Sequence, residues 1–288
     1  MLGAIEAGGT KFVCAVGDET GRVIERIQIP TTLPAETMTK VIAFFKKYKI
    51  DAIGIGSFGP IDVNTDSDTY GYITSTPKPG WKDYPFVQEI KNALSVPVGF
   101  NTDVNAAALG EATFGAAKGL DSCLYITVGT GIGAGAVVQG RLLQGLSHPE
   151  MGHILVRRHP EDHYKGKCPY HSDCLEGLAA GPSIEERWGA KGIKLVGRDE
   201  VWEMEGYYIA QALMQYILIL SPKKIILGGG VMNQKQVFSY IQKYLQEFLN
   251  DYVALPELSD YIVSPGLGDN AGIIGSLLLA KNALEEQE

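Results

Sequence analysis

The sequence predicts an α/β protein of two domains. Strand-like and helix-like segments alternate along the chain. The length, 288 residues, suits two domains of ordinary size or one large one. Two segments also resemble each other: residues 3–16, GAIEAGGTKFVCAV, and residues 124–137, LYITVGTGIGAGAV. Each is an apolar run, a Gly/Thr-rich turn and a second apolar run, the pattern of a β-hairpin whose turn is open to a ligand. Aligning them puts Gly8 over Gly129 and Thr10 over Gly131. Two such hairpins suggest two related domains facing one another.

The first hairpin opens the chain. In ETMTKVIAFFKKY (36–48), Met38, Val41, Ile42 and Phe45 recur at helical spacing. DAIGIGSFGP (51–60) reads as a buried strand ending in a Gly-Pro turn. VPVGFNTD (96–103) is another strand, and VNAAALGEATFGAA (104–117) a helix after it. The Gly-rich FGAAKGLDS (114–122) marks the domain boundary. After the second hairpin come a helix over 201–220 and a strand, KKIILGGG (223–230), that runs into a glycine turn. VFSYIQKYLQEFL (237–249) is amphipathic, with Val237, Tyr240, Ile241, Tyr244, Leu245 and Phe248 in one stripe. The last helix starts at Asp269 as N-cap. The expected domains are 1–116, with the C-terminal helix 270–288 able to pack back on it, and 117–269.

Composition excludes several functions. Hydrophobic residues make up 45% and charged residues 20%, which fits a folded core and not disorder. The formal net charge of −8 argues against a nucleic-acid partner, which needs a basic face. No basic region precedes an apolar run at the N-terminus, so no signal peptide is expected. The longest apolar stretch, ALMQYILIL (212–220), is too short to span a bilayer. A soluble, cytoplasmic protein without a membrane partner is expected. Its four cysteines are then free or metal-bound and not disulfide-linked.

Three constellations carry chemistry. The first is the pair of glycine turns. AGGTK (7–11) is not a Walker P-loop, since no GxxxxGK[ST] pattern occurs. GTGIGAGA (129–136) contains a G-x-G-x-x-A match, with Glu150 about twenty residues on, as in a dinucleotide fingerprint. That fingerprint must open a helix, whereas AGAVVQGRLLQG (134–145) continues as a strand. Either turn alone is explained by glycine's tolerance of positive φ. Together, their backbone N–H groups could point at one polyphosphate.

The second is NTDVNAAALGE (101–111). A carboxylate at the C-terminal end of a strand sits where α/β enzymes place ligands, so Asp103 is either a general base or a helix N-cap. The third is His153, Cys168, His171 and Cys174, the last three spaced C-x2-H-x2-C. Two thiolates and two imidazoles are a zinc set of the structural kind. His148, His159 and His163 compete with His153 for the fourth place. Glu150 and Glu176 flank the ligands, and a metal clip would fix both as acceptors for sugar hydroxyls.

Together these pieces resemble the ROK family of sugar kinases, in its bacterial fructokinase branch. The resemblance covers essentially the whole chain. Its markers are EAGGTK (6–11), GIGSFGPID (54–62), TPKPGW (76–81), NTDVNAAALGE (101–111), TVGTGIGAG (127–135), HPEMGH (148–153), CPYHSDCLEGLAAGPS (168–183), ILGGGV (226–231) and GLGDNAGIIGS (266–276). It implies two actin-like, ribonuclease-H-like domains with the active site in a cleft between them. It implies ATP-dependent phosphorylation of a hexose with Mg²⁺, a structural Zn²⁺ and a homodimer.

The resemblance makes Asp103 the catalytic base. Gly59, Thr102, Asp103, Glu150, His153 and Glu176 would contact the sugar, with His153 also on the zinc. Glu6, Gly8, Gly9, Thr10, Lys11, Thr130, Gly131, Pro182 and Gly228 to Gly230 would hold ATP. Most of the family has Asp where this chain has Glu6, Asn where it has Thr102, and many hexokinase-like members have Asn where it has Lys78. The last two resemble fructokinases, so fructose is expected over mannose or glucose. A sugar-sensing regulator on this scaffold would carry an N-terminal helix-turn-helix, for which a hairpin starting at residue 3 leaves no room.

Overall fold

The structure is a computed structural model that describes residues 1–286. By contacts the chain divides into two compact units. One comprises 1–119, 135–149 and 266–288, the other 120–134 and 150–265.

The first unit is built on a five-stranded sheet. Strands β1 (Leu2–Ala7), β2 (Lys11–Gly17) and β3 (Val23–Pro30) form an antiparallel meander. Helix α1 (Pro34–Phe45) leads to β4 (Ala52–Ser57), and α2 (Phe86–Leu94) to β5 (Val98–Thr102). Strands β4 and β5 lie parallel to β1, giving the order β3-β2-β1-β4-β5. Helix α3 (Asp103–Phe114) follows β5 directly.

The second sheet contains β6 (Cys123–Val128), β7 (Ile132–Val138) and β8 (Arg141–Leu142). Three helices follow: α4 (Leu175–Ala179), α5 (Gly181–Trp188) and the long α6 (Asp199–Leu220). Then come β9 (Ile225–Gly228), α7 (Val237–Leu249), α8 (Leu258–Tyr261) and β10 (Ile262–Val263). The strand order is β10-β9-β6-β7-β8, with β6, β9 and β10 parallel and β7 antiparallel to β8. Read from β8, this repeats the order of the first sheet, so the likeness of the two hairpins reflects a duplicated topology. Both sheets are of the actin-like sugar-kinase type.

Helix α9 (Ala271–Glu285) belongs to the first unit. The last two positions of a helix expected to reach 288 lie outside the described residues. One face of the first sheet, with Ile5, Phe12, Ile53 and Ile55, packs on α1 and α2 through Met38, Phe44, Phe86 and Ile90. The other face, with Leu2, Ala4, Val13, Ala15 and Ala52, packs on Ile273, Leu277 and Ala280 of α9. The alternation in β4 explains how α9 comes so close. Ile53 and Ile55 point to the aromatic side, whereas a Cβ on Gly54 would fall on the backbone carbonyl of Ser276. Gly54→Ala is therefore expected to cost about 3 kcal/mol, as overpacking against backbone does. Urea unfolding measures it, and an unchanged midpoint would mean that α9 simply shifts aside.

Two local expectations differ from the structure. Asp269 lies inside a 3₁₀ turn, Gly268–Asn270, and the N-cap position of α9 is Asn270, with no side-chain capping bond. In α7 the buried seam is Val237, Ile241, Leu245 and Leu249. Tyr244 and Phe248 flank it, each at near right angles to the ring of Tyr207.

Candidate active site

In the first unit, parallel register lines up Ala7, Ser57 and Thr102 across β1, β4 and β5. The first glycine turn, Phe58-Gly59 and Asp103 therefore leave the sheet along one edge. Two strand spacings separate its ends, about 10 Å. The C-terminal edge of parallel strands is where open α/β sheets bind ligands.

Helix α3 opens with Thr102 as its N-cap, the hydroxyl accepting from Asn105 N at 3.1 Å. The capping that could have explained Asp103 is thus done by its neighbour. Asp103 is the first helical residue, and its Oδ1 accepts from Val104 N at 2.9 Å. Asn101 Oδ1 accepts both Thr102 N (2.9 Å) and Asn105 Nδ2 (2.8 Å), which fixes the strand-to-helix junction. Gly59 precedes Pro60 in a cis peptide.

The first turn spans residues 8–10. Gly8 N donates to Lys11 O at 3.0 Å. Thr31 clamps the turn from outside: its N donates to Thr10 O at 3.0 Å and its hydroxyl to Gly8 O at 2.7 Å. Lys11 is exposed. Burial raises the pKa of Glu6 above the usual carboxylate range, with Asp269 adding to the effect and Lys11 and Arg26 opposing it. The Glu6 carboxyl lies against Gly272, where a Cβ would come within 2.6 Å of it.

In the second unit, the donor atoms of His153, Cys168, His171 and Cys174 all lie within 4.8 Å of one another. His153 Nδ1 is 3.6 Å from Cys168 Sγ and 3.5 Å from Cys174 Sγ, and His171 Nδ1 is 3.8 Å from Cys168 Sγ. A tetrahedron with metal–sulfur bonds of about 2.3 Å and metal–nitrogen bonds of about 2.0–2.1 Å has N···S edges of about 3.5 Å. The donor set and its spacing therefore fit a tetrahedral metal ion. The competing histidines lie elsewhere. His148 Nε2 accepts from Ile61 N at 3.0 Å, His159 packs edge-on against Tyr207, and His163 is exposed.

The two glutamates adjoin this cluster. His153 Nε2 lies 4.0 Å from Glu176 Oε1. Glu176 Oε2 accepts from Ile132 N at 2.9 Å, so this carboxylate also braces the second glycine turn. Burial pushes the Glu150 carboxyl above its usual range, with Glu176 adding to the effect and His153 opposing it. The arrangement is one half-buried carboxylate, Glu176, and one more exposed, Glu150, beside an imidazole, the equipment for holding hydroxyl groups.

The remaining expected positions gather around that second turn. Gly129 N donates to Gly131 O at 2.9 Å, and Gly181 N, next to Pro182, donates to Gly129 O at 2.7 Å. Gly228 ends β9, Gly229 has φ of +90°, and Gly230 N is 3.9 Å from where a Cβ on Gly129 would sit. Thr130, Gly131, Pro182 and Gly228 to Gly230 thus come from three separate stretches to one place.

Sequence reasoning missed the supports. Thr31 is one, and its only signal was a Thr-Thr pair after a strand. A second is the buried pair Asp162–Arg187, joined by 3.1 and 2.9 Å hydrogen bonds, with Tyr208 Oη donating to Asp162 at 2.5 Å. Burial acts to raise the Asp162 pKa, but these bonds outweigh it and hold the carboxyl below its usual range. The pair ties the loop after the metal cluster's first ligand to α5 and α6.

Known proteins resemble this chain along its length. A Bacillus subtilis (strain 168) relative, provisionally named a fructokinase, is 67% identical over all of this chain and 97% of its own. The fructokinase of Pediococcus pentosaceus is 52% identical, with 99% of each chain covered. Among solved structures, the ROK hexokinase from Thermus thermophilus superposes with a TM-score of 0.80 at 27% identity, covering 99% of each chain. The description of the ROK family matches residues 2–283, and the chain belongs to that family.

Proposed function

We propose that this chain transfers the γ-phosphoryl group of ATP to a hexose, D-fructose before others, giving fructose 6-phosphate. One observation carries the reading. Asp103 stands at the same C-terminal sheet edge as the first Gly-Thr turn, in a chain whose fructokinase relatives align along its full length. A base and a phosphate cradle on one edge are what phosphoryl transfer to a hydroxyl needs.

In this reading Asp103 accepts the proton of the attacking hydroxyl as its oxygen bonds to phosphorus. Thr102 and Gly59 position the sugar from the same edge. Glu150, His153 and Glu176 accept or donate to its other hydroxyls. The N–H groups of Gly9 and Thr10, with Gly8, Lys11 and Glu6 beside them, meet the phosphates of MgATP. Thr130, Gly131, Pro182 and Gly228 to Gly230 hold the rest of the nucleotide. Zinc on His153, Cys168, His171 and Cys174 would cross-link the loop that carries both glutamates and take no part in the transfer. Burial pushes the Cys174 thiol up to about 11, so a bound dication would displace its proton. A cytoplasmic location and a homodimer go with the same reading.

The test is ATP consumption against a panel of hexoses. Fructose is expected to show the highest kcat/KM, mannose a detectable one and glucose a poor one. Acceptors that the bound sugar shuts off from water are left unpaired when a hydroxyl is misplaced, at about 1–3 kcal/mol each, or roughly one to two decades. A clear preference for glucose would show that Thr102 and Lys78 do not mark specificity.

A further inference from the structure

Lys78 enters the sequence argument only as a marker of the fructokinase branch, yet the structure places its side chain against the first glycine turn. A Cβ on Gly9 would lie 2.7 Å from Lys78 Cε and 3.3 Å from its Nζ. Glycine at position 9 is what leaves room for the ammonium over the turn.

The loop that presents Lys78 is fastened on both sides. Trp81, buried at 1% exposure among Phe12, Phe58, Tyr84 and Phe86, donates its Nε1 to Thr32 O at 2.7 Å and its amide to Lys78 O at 3.1 Å. Thr31, next to Thr32, is the residue that clamps the turn. The turn and the lysine loop are thus anchored to adjacent residues. Pro77 and Pro79 flank the lysine, and a following proline holds its backbone extended. Among the described residues no carboxylate lies within ion-pair distance of the ammonium, although the chain carries a net charge of −8. A half-buried cation, preorganised over a turn of N–H groups and left without an anion, is built for an anion that arrives.

We propose that Lys78 is a phosphate-contacting catalytic residue, its ammonium donating to the phosphoryl group in transit over Gly9. This rests on the kinase reading above. The sugar oxygen forms its bond to the γ-phosphorus, and the bond from that phosphorus to the β–γ bridging oxygen breaks. ADP leaves with the electron pair, and the hydroxyl proton goes to Asp103. Lys78 keeps its protons and hydrogen-bonds the non-bridging oxygens, where charge gathers.

The experiment compares K78M and K78R with the wild-type chain on fructose, mannose and glucose. Loss of one such donor lowers kcat by about 10² to 10³. K78M is expected to show that drop with every hexose the wild type accepts, leaving the ratio of kcat/KM between sugars unchanged. K78R, which keeps the charge, is expected to recover to within about tenfold of wild type. Calorimetry supplies a readout that needs no turnover. Affinity for fructose 6-phosphate is expected to fall about tenfold or more in K78M, with affinity for fructose unchanged.

A K78M enzyme with wild-type kcat overturns the proposal. So does a changed sugar ratio with kcat on fructose preserved, which would make Lys78 a reader of the acceptor. Unchanged affinity for fructose 6-phosphate overturns it as well. K78Q carries the same readouts if K78M fails to fold. Wild-type protein that phosphorylates no hexose would instead sink the kinase reading itself.

Discussion

Asp103→Ala is expected to lower kcat for fructose by a factor of about 10² to 10⁴, the usual loss on removing a general base. That corresponds to about 2.7–5.5 kcal/mol of barrier. The fold should survive the change. Thr102, not Asp103, caps α3, so the variant keeps the cap and loses the bond from Val104 N and a favourable charge in the first turn, the charge at about 0.3–1 kcal/mol. Affinity for ATP should stay near the wild-type value. Steady-state kinetics, nucleotide titration and thermal unfolding of one preparation separate the cases. A kcat within a few-fold of wild type would reduce Asp103 to a helix-start residue, and an unfolded variant would give it a structural task.

Loss of the metal is the second large effect. Protein purified without added metal is expected to contain one zinc per chain by elemental analysis. Cys174→Ser should abolish tight binding, because the remaining ligands leave the tetrahedron open. The consequence should reach the sugar before the nucleotide. Glu176 is two residues from Cys174 and also holds Ile132 N, and Glu150 is three residues from His153. KM for fructose is expected to rise by about 10- to 100-fold, as when metal-site supports are lost, with a smaller rise in KM for ATP. Metal-free protein of full activity would refute both the clip and its role in placing the two glutamates. Cys14 and Cys123, buried in β2 and β6, should be replaceable without loss of zinc.

What could be read from the sequence is what local chemistry writes densely. Cys168, His171 and Cys174 fall within seven residues, so their meeting needs only a turn. The two hairpins declare themselves because a strand, a glycine turn and a strand are contiguous, and the I-G-I-G run of β4 writes its two faces directly. Strand β3 was missed because it is an edge strand with Glu25 and Arg26 exposed and Ile24 facing solvent. Helix α2 is nine residues long, and a Pro-Phe start offers no side-chain cap to signal it. Asp162, Arg187 and Tyr208 are invisible for another reason. Each is ordinary in its own neighbourhood, and only the path of the chain makes them partners. Lys78 stood out only as a branch marker, because residues 9 and 78 are joined only by a contact through space.

Helix α9 sets the order in which the protein can be finished. The face made by Leu2, Ala4, Val13, Ala15 and Ala52 comes from the first strands to leave the ribosome, but Ile273, Leu277 and Ala280 cover it. At translation rates of roughly 5–20 residues per second, the stretch from 119 to 285 takes roughly ten to thirty seconds. Throughout that time the nascent chain carries an open apolar sheet face. Residues 120–265 emerge complete while the unit begun first still waits for its last helix. A message or ribosome that stops before α9 therefore leaves a chain with its sheet uncovered, a natural client for chaperones and proteases.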